Sequence, residues 1–353
     1  MYTDRIVLYR ELEKKLSSKV LVYVTSDRAG FEANIAQDVI DLFINQLDSI
    51  GVREKISLYL YTRGGDTAAA WNIVNLLRQY CDELEVVIPH KAHSAGTLIS
   101  IGANSIIMTK QATLGPIDPS VNTPLNPPIP NAPPQNNYPV SVEAVKGYLA
   151  FAKEELSIKE DAALSNIMIK LSEYVHPLVL GQVYRARAQI KMLAEKLLTN
   201  QVTDNAKIKD IISFLCSDSG SHDYTINRRE AKDTLGLNVK KPDDELYNII
   251  KNIYDNISAE LGFGLPFDPI AVSQVNDGAY NVTRALIESV DGGCDAFVTK
   301  GVIKRIAVPG APGQAPQQAI QTTKVFEGWK HGTINADSDA TNVADGTTAP
   351  TSN

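Results

Sequence analysis

Long apolar runs, paired cysteines and an excess of basic charge are all missing from this 353-residue chain. A membrane helix needs roughly 20 consecutive apolar residues, and no segment supplies them. The opening Met1-Tyr2-Thr3-Asp4-Arg5 runs into a charged helical pattern over Leu8 to Leu16, which is not a signal peptide. The expectation is a soluble, cytoplasmic protein with no membrane span. Three cysteines, Cys81, Cys216 and Cys294, lie far apart and form no CxxC pair, which argues against a disulfide framework and a zinc site and fits a reducing compartment. The net charge of -7 leaves no basic field for a phosphate backbone, so nucleic acid is not an expected partner. No metal or organic cofactor is implied.

What is present begins with alternation. Short β-branched runs at Val20 to Thr25, Ile56 to Thr62 and Leu84 to Ile88 are separated by helical patterns at Ile35 to Ile50 and Thr67 to Tyr80. That order predicts an α/β fold with a mostly parallel sheet covered by helices. A further helix over about Ser94 to Gly102 and a strand Ser105 to Thr109 repeat the scheme. Nine prolines between Pro116 and Pro139 then exclude a helix or central strand and predict a loop. From Ser141 to about Cys216 the periodicity is helical, including Leu178 to Leu198, and predicts an arm. A helix over Asp243 to Leu261 and extended runs at Tyr280 to Ser289 and Ala296 to Ile306, around Asp291-Gly292-Gly293, predict a closing hairpin. The division expected is an N-terminal helix over 1–18, a main domain over 19–240, an extension over 241–331 and a disordered tail over 332–353.

Two strand-turn-helix units carry the chemistry. In the first, Leu58 to Thr62 ends in Arg63-Gly64-Gly65-Asp66-Thr67 before an Ala-rich helix, and glycines there let backbone N–H groups face a ligand closely. A phosphate loop would need a Lys-Ser/Thr pair and a dinucleotide site a third glycine, and neither is present. By itself the turn is also an ordinary helix start with Asp66 or Thr67 as N-cap. In the second, Glu85 to Ile88 leads through Pro89-His90-Lys91-Ala92-His93 to Ser94-Ala95-Gly96-Thr97. A serine opening a helix among small residues has an accessible hydroxyl beside unpaired N–H groups, although small residues also simply allow close packing.

Together these motifs resemble the ClpP/crotonase superfamily, in which a Gly-Gly turn precedes a nucleophilic Ser-small-Gly helix start. The likeness is greatest to the serine dehydrogenase proteinase family, related to the signal-peptide peptidase A type. It extends from about Val20 to Val239 and is carried by Arg63 to Thr67, His93 to Thr97, Leu114-Gly115-Pro116-Ile117-Asp118-Pro119, His176 to Gly181, Ser221-His222-Asp223-Tyr224, Glu230-Ala231 and Leu235 to Leu237. The resemblance implies a repeated β-β-α spiral with a helical arm, a peptide or protein substrate and a homo-oligomer. It implies an ATP-independent serine peptidase with Ser94 as nucleophile and an oxyanion hole at Gly64, Gly65 and Ala95.

A serine nucleophile needs a base and a group that orients the base. The chain has five histidines. His331 lies near the tail, and His90 and His93 precede Ser94 too closely to reach back to it, which leaves His176 and His222. The family order of Ser, Asp, His carries over onto Ser94, Asp118 and His222, with His176 and Asp223 as alternates. Each has an ordinary reading beside it: Asp118 as a turn residue before Pro119, His222-Asp223 as a solvated loop pair, His176 as a helix cap. A Ser-Lys dyad would have to use Lys146 or Lys153, which read better as the solvated face of a helix. The rival readings are a crotonase-like acyl-CoA enzyme and a catalytically silent scaffold.

Overall fold

The computed structural model describes residues 1–117, 120–130, 137–218, 223–308 and 317–332. The chain opens with α1 (Tyr2–Leu16), β1 (Lys19–Thr25), α2 (Ile40–Ile50), β2 (Arg53–Tyr61), α3 (Thr67–Tyr80) and β3 (Cys81–Ile88). Next come β4 (Lys91–Ala92), α4 (Ala95–Ile101), β5 (Ser105–Met108) and β6 (Thr113–Leu114). Two short strands, β7 (Ser120–Val121) and β8 (Val140–Ser141), precede the helices α5 (Val142–Ala150), α6 (Asp161–Tyr174), α7 (Pro177–Leu198) and α8 (Asn205–Ser213). The remainder comprises β9 (Ile226–Asn227), β10 (Val239–Lys240), α9 (Asp244–Leu261), α10 (Pro269–Val272), β11 (Ala279–Ser289), β12 (Gly293–Val308) and β13 (Gln317–His331).

The expected α/β architecture is present. Eight strands form one sheet in the order β10-β5-β3-β2-β1-β11-β12-β13. From β10 to β1 all neighbours are parallel, while β11, β12 and β13 are added antiparallel. Successive residues of a strand face opposite sides, so both faces of the sheet need cover. In β1, Leu21 and Tyr23 join one core with Phe43 and Leu47 of α2, Ile73 and Leu77 of α3, Leu98 of α4 and Leu197 of α7. Val20, Val22 and Val24 join the other, with Tyr9 and Leu12 of α1 and Ile250, Ile253 and Ile257 of α9. The helical arm expected over 141–216 is α5 to α8, and α6 has no buried residue at all.

Three expectations change in detail. The helix expected from Ile35 begins at Ile40, because Ile35 is instead held in an extended bridge to Gly65. The proline-rich stretch is closed at its base by a ladder of β7 with β8, within which Asn126 Nδ2 donates to Val121 O and Tyr138 O. The hairpin of β11 and β12 acquires a third strand, β13, paired along its whole length with β12. Its residues are mostly exposed, so it lacks the apolar alternation that would mark it in the sequence. The tail expected over 332–353 lies, from 333 onward, outside the described residues.

Candidate active site

Loops after the carboxyl ends of parallel strands converge on one place, as they do wherever a parallel sheet presents its strand ends to a ligand. Asp27 follows β1, Arg63-Gly64-Gly65 follows β2, Lys91 to Ser94 follows β3, and Pro116 lies beyond β5. Backbone pairing fixes their order. Ile35 N–H donates to Gly64 O and Asp66 N–H to Ile35 O, both at 2.8 Å, while Thr62 N–H donates to Lys91 O and His93 N–H to Thr62 O, both at 3.1 Å. A small sheet β4-β6-β9 continues this row. Gly65, with φ of 146°, is required there, since a Cβ would fall 2.2 Å from Ile35 O.

Ser94 stands at the N-cap of α4 with φ 51° and ψ -113°, a strained conformation for a residue with a side chain. Its hydroxyl does not cap its own helix and donates to no acceptor among the described residues. Gly64 lies directly against it: a Cβ built there would sit 2.7 Å from Ser94 Cβ and 3.3 Å from Ser94 Oγ. The N–H of Gly64 is taken by Thr62 Oγ1 at 3.0 Å, so Gly64, expected to share in the oxyanion hole, supplies clearance and not a donor. Among the described residues the N–H groups of Gly65 and Ala95 have no acceptor. The pairing with Ile35 occupies one edge of the Gly64-Gly65 segment, and the N–H and C=O of Gly65 point to the other, because these groups alternate along an extended chain.

Ser94 opens into a cleft of about 380 Å³ lined by Asp27, Arg63, Lys91, His93, Pro116 and Asp223. Asp27 and Lys91 form an ion pair at 2.5 Å, and Tyr61 Oη donates to the same carboxylate oxygen at 2.8 Å. Burial alone would raise the Asp27 pKa, but the hydrogen bonds from Lys91 and Tyr61 outweigh it and hold the carboxyl below its ordinary value. Burial pushes the Tyr61 hydroxyl far up, with the Asp27 charge adding to the effect. His90, on the same turn, is turned away from the cleft and stacked on Tyr254, its pKa lowered by burial and by Lys91.

Ser94, Gly64, Gly65 and Ala95 are thus brought together, and the alternate Asp223 lines the cleft. Asp118 and His222 lie outside the described residues. Ile117 N–H donates to Leu215 O at 2.8 Å, which ties together the segments on which those two residues follow. His176 is not among the residues lining the cleft; it caps α7, its Nδ1 accepting from Leu178 N–H at 3.2 Å. His93 lines the cleft with Nε2 against Thr113 Oγ1 at 2.9 Å. Lys146 pairs with Glu143, and neither it nor Lys153 lines the cleft. No charge pattern in the sequence marks Asp27, Arg63 and Lys91 as members of the site, and their one signal there is position: each follows the carboxyl end of a parallel strand.

The family described as ClpP-like SDH-type serine proteinase matches residues 47–132. Two uncharacterized proteins of Methanocaldococcus jannaschii are similar, one 30% identical over 63% of this chain and 65% of its own length, the other 28% identical over 57% and 55%. The matched part therefore spans less than two thirds of either relative. Among solved structures, a membrane-bound stomatin-specific protease, 1510-N, overlaps 70% of this chain and 87% of its own with 16% identity and a TM-score of 0.37. ClpP1 from Listeria monocytogenes overlaps 67% and 99% with 17% identity and a TM-score of 0.34. Through the segment that holds both the Gly64-Gly65 turn and Ser94, the chain is similar to the ClpP-like SDH-type serine proteinases.

Proposed function

We propose that the chain is an ATP-independent serine peptidase that hydrolyses peptide bonds through an acyl-enzyme on Ser94. The observation that carries this reading is the strained Ser94 at the start of α4, its hydroxyl and the adjacent N–H groups of Gly65 and Ala95 all without a partner among the described residues. A strained turn from strand to helix lifts a nucleophile clear of its surroundings, and two such donors stabilise a developing oxyanion. Ser94 Oγ attacks the peptide carbonyl, its proton passing to the base and then to the leaving amine as the C–N bond breaks. Water, deprotonated by the same base, then releases the acyl group. The base is His222 and its orienting acid Asp118. What supports them, besides the family order, is that Pro116 and Asp223, their neighbours in sequence, line the cleft. The free edge of Gly65 would align an extended peptide by backbone pairing.

The chain works as a homo-oligomer through its helical arm, where Tyr148, Phe151, Ile169, Leu178 and Tyr184 are exposed. Among the described residues no helix is long and apolar enough to cross a membrane, and we place the protein in the cytoplasm. A crotonase-like acyl-CoA enzyme could use the same paired N–H groups on an enolate, but neither it nor a silent scaffold has use for a strained serine. Labelling with a fluorophosphonate tests the reading. Labelling that disappears in Ser94→Ala and collapses in His222→Ala supports it, and no labelling of folded protein overturns it. His176→Ala, at a capping residue, should label as the wild type does; loss of labelling there would move the base to His176.

A further inference from the structure

Among the described residues the cleft beside Ser94 has no large apolar side chain in its lining: Pro116 is the one apolar member, and Asp27, Arg63, Lys91 and Asp223 are charged. It is therefore built to receive a polar or charged group. The cations decide which. Lys91 is committed to Asp27, and Asp27 in turn to Lys91 and Tyr61, so these two neutralise one another. Arg63 is not committed. Among the described residues its guanidinium donates no hydrogen bond; Glu32, at 3.9 Å, is its one ion pair, and the Asp27 carboxylate feels its charge from farther off. A carboxylate can thus approach this fork, yet Glu32 stops short of hydrogen-bonding distance. Arg63 also directly precedes Gly64, whose backbone touches Ser94, so its reach falls within a residue or two of a bond presented to Ser94 Oγ.

Resting on the peptidase reading, we propose that Arg63 is a specificity-determining residue that binds a carboxylate of the substrate next to the scissile bond, so that the preferred substrates are acidic peptides. A planar guanidinium with five donors matches a carboxylate in bidentate fashion, which a lysine cannot do. The local cation acts against the repulsion of a chain whose net charge is -7, and such preference as it confers is short-ranged. The carboxylate can come from an Asp or Glu side chain or from a C-terminus close to the cleavage point.

The test uses the full chain and four matched fluorogenic peptides. Three are amidated and carry Glu, Gln or Lys beside the cleaved bond, and the fourth carries Gln with a free C-terminal carboxylate. Wild-type protein should show a kcat/KM for the Glu peptide, the free-carboxylate peptide or both about tenfold above the amidated Gln peptide. Which of the two is favoured identifies the source of the carboxylate. The preference should vanish in Arg63→Gln, turn toward the Lys peptide in Arg63→Glu, and sharpen in Glu32→Gln, where the competing carboxylate is gone. Equal cleavage of all four by the wild type, or preference for Lys, overturns the proposal whatever the variants do. So does a carboxylate preference that survives in Arg63→Gln. If Ser94 takes no fluorophosphonate and no peptide is cut, the peptidase reading itself falls; labelling without regard for the carboxylate removes only the role of Arg63.

Discussion

Gly64 and Ser94 touch, and no side chain fits between them: a Cβ on Gly64 would lie 2.7 Å from Ser94 Cβ and 2.9 Å from His93 O. The glycine of the first strand-turn-helix unit therefore exists for the serine of the second. Gly64→Ala must push the two apart, and at φ 117° it also strains its own backbone. A displacement of about 1 Å at a reacting group can cost on the order of 100-fold in rate. The expected outcome is a fluorophosphonate labelling rate reduced by about that factor while far-ultraviolet circular dichroism stays unchanged.

Ser94 itself stores strain that glycine would release. Its φ of 51° with ψ -113° costs about 1–3 kcal/mol for a residue with a Cβ. Ser94→Gly and Ser94→Ala should both abolish labelling, but only the glycine variant escapes the strain. Thermal unfolding should give the glycine variant the higher Tm of the two. Equal melting temperatures would show that the turn is relaxed.

The Asp27–Lys91 pair predicts a pH dependence of defined sign. The folded state holds the Asp27 carboxyl below its ordinary value, so the pair contributes its full stability above the ordinary aspartate range and loses it as the pH falls through the lowered folded value. Urea midpoints followed from about pH 7 to about pH 2 should therefore decline at the acid end. Asp27→Asn should flatten that part of the curve, and Lys91→Met should shrink the decline as well, because without the charge that offsets burial the folded carboxyl moves back up toward its ordinary value and the gap between folded and unfolded states narrows.

Arg5 on α1 is completely buried and joins three parts of the fold. Its Nε donates to Glu288 Oε2 of β11 at 2.9 Å, and its Nη1 to Asn256 and Glu260 of α9 at 2.8 and 2.6 Å. Tyr9 Oη also donates to Glu288, as does Cys294 Sγ at 3.2 Å. Removing one partner of a buried ion pair strands the other charge, at a cost of about 3–5 kcal/mol. Arg5→Met should lower the urea midpoint accordingly, and adding Glu288→Leu should recover much of the loss.

The βαβ order and the apolar strands were legible because a buried parallel strand and an amphipathic helix each write a period into adjacent residues. Val20 to Thr25, Thr67 to Tyr80 and Ser105 to Met108 illustrate this. The site was legible where it rests on local backbone chemistry: a Gly-Gly turn after a strand, and a serine where a helix begins. The start of α2 was not, because Ile35 has helical neighbours in sequence but pairs with Gly65 in space. Nor was β13, whose pairing with β12 gives its exposed side chains no burial period. Asp27, Arg63 and Lys91 each look like solvated surface charges when taken singly. The sequence by itself determined which segments could be strands, which could be helices and where a serine would be lifted clear. The tertiary structure alone decided which charges meet around it, since an ion pair between residues 27 and 91 depends on strands closing side by side and leaves no local pattern to read.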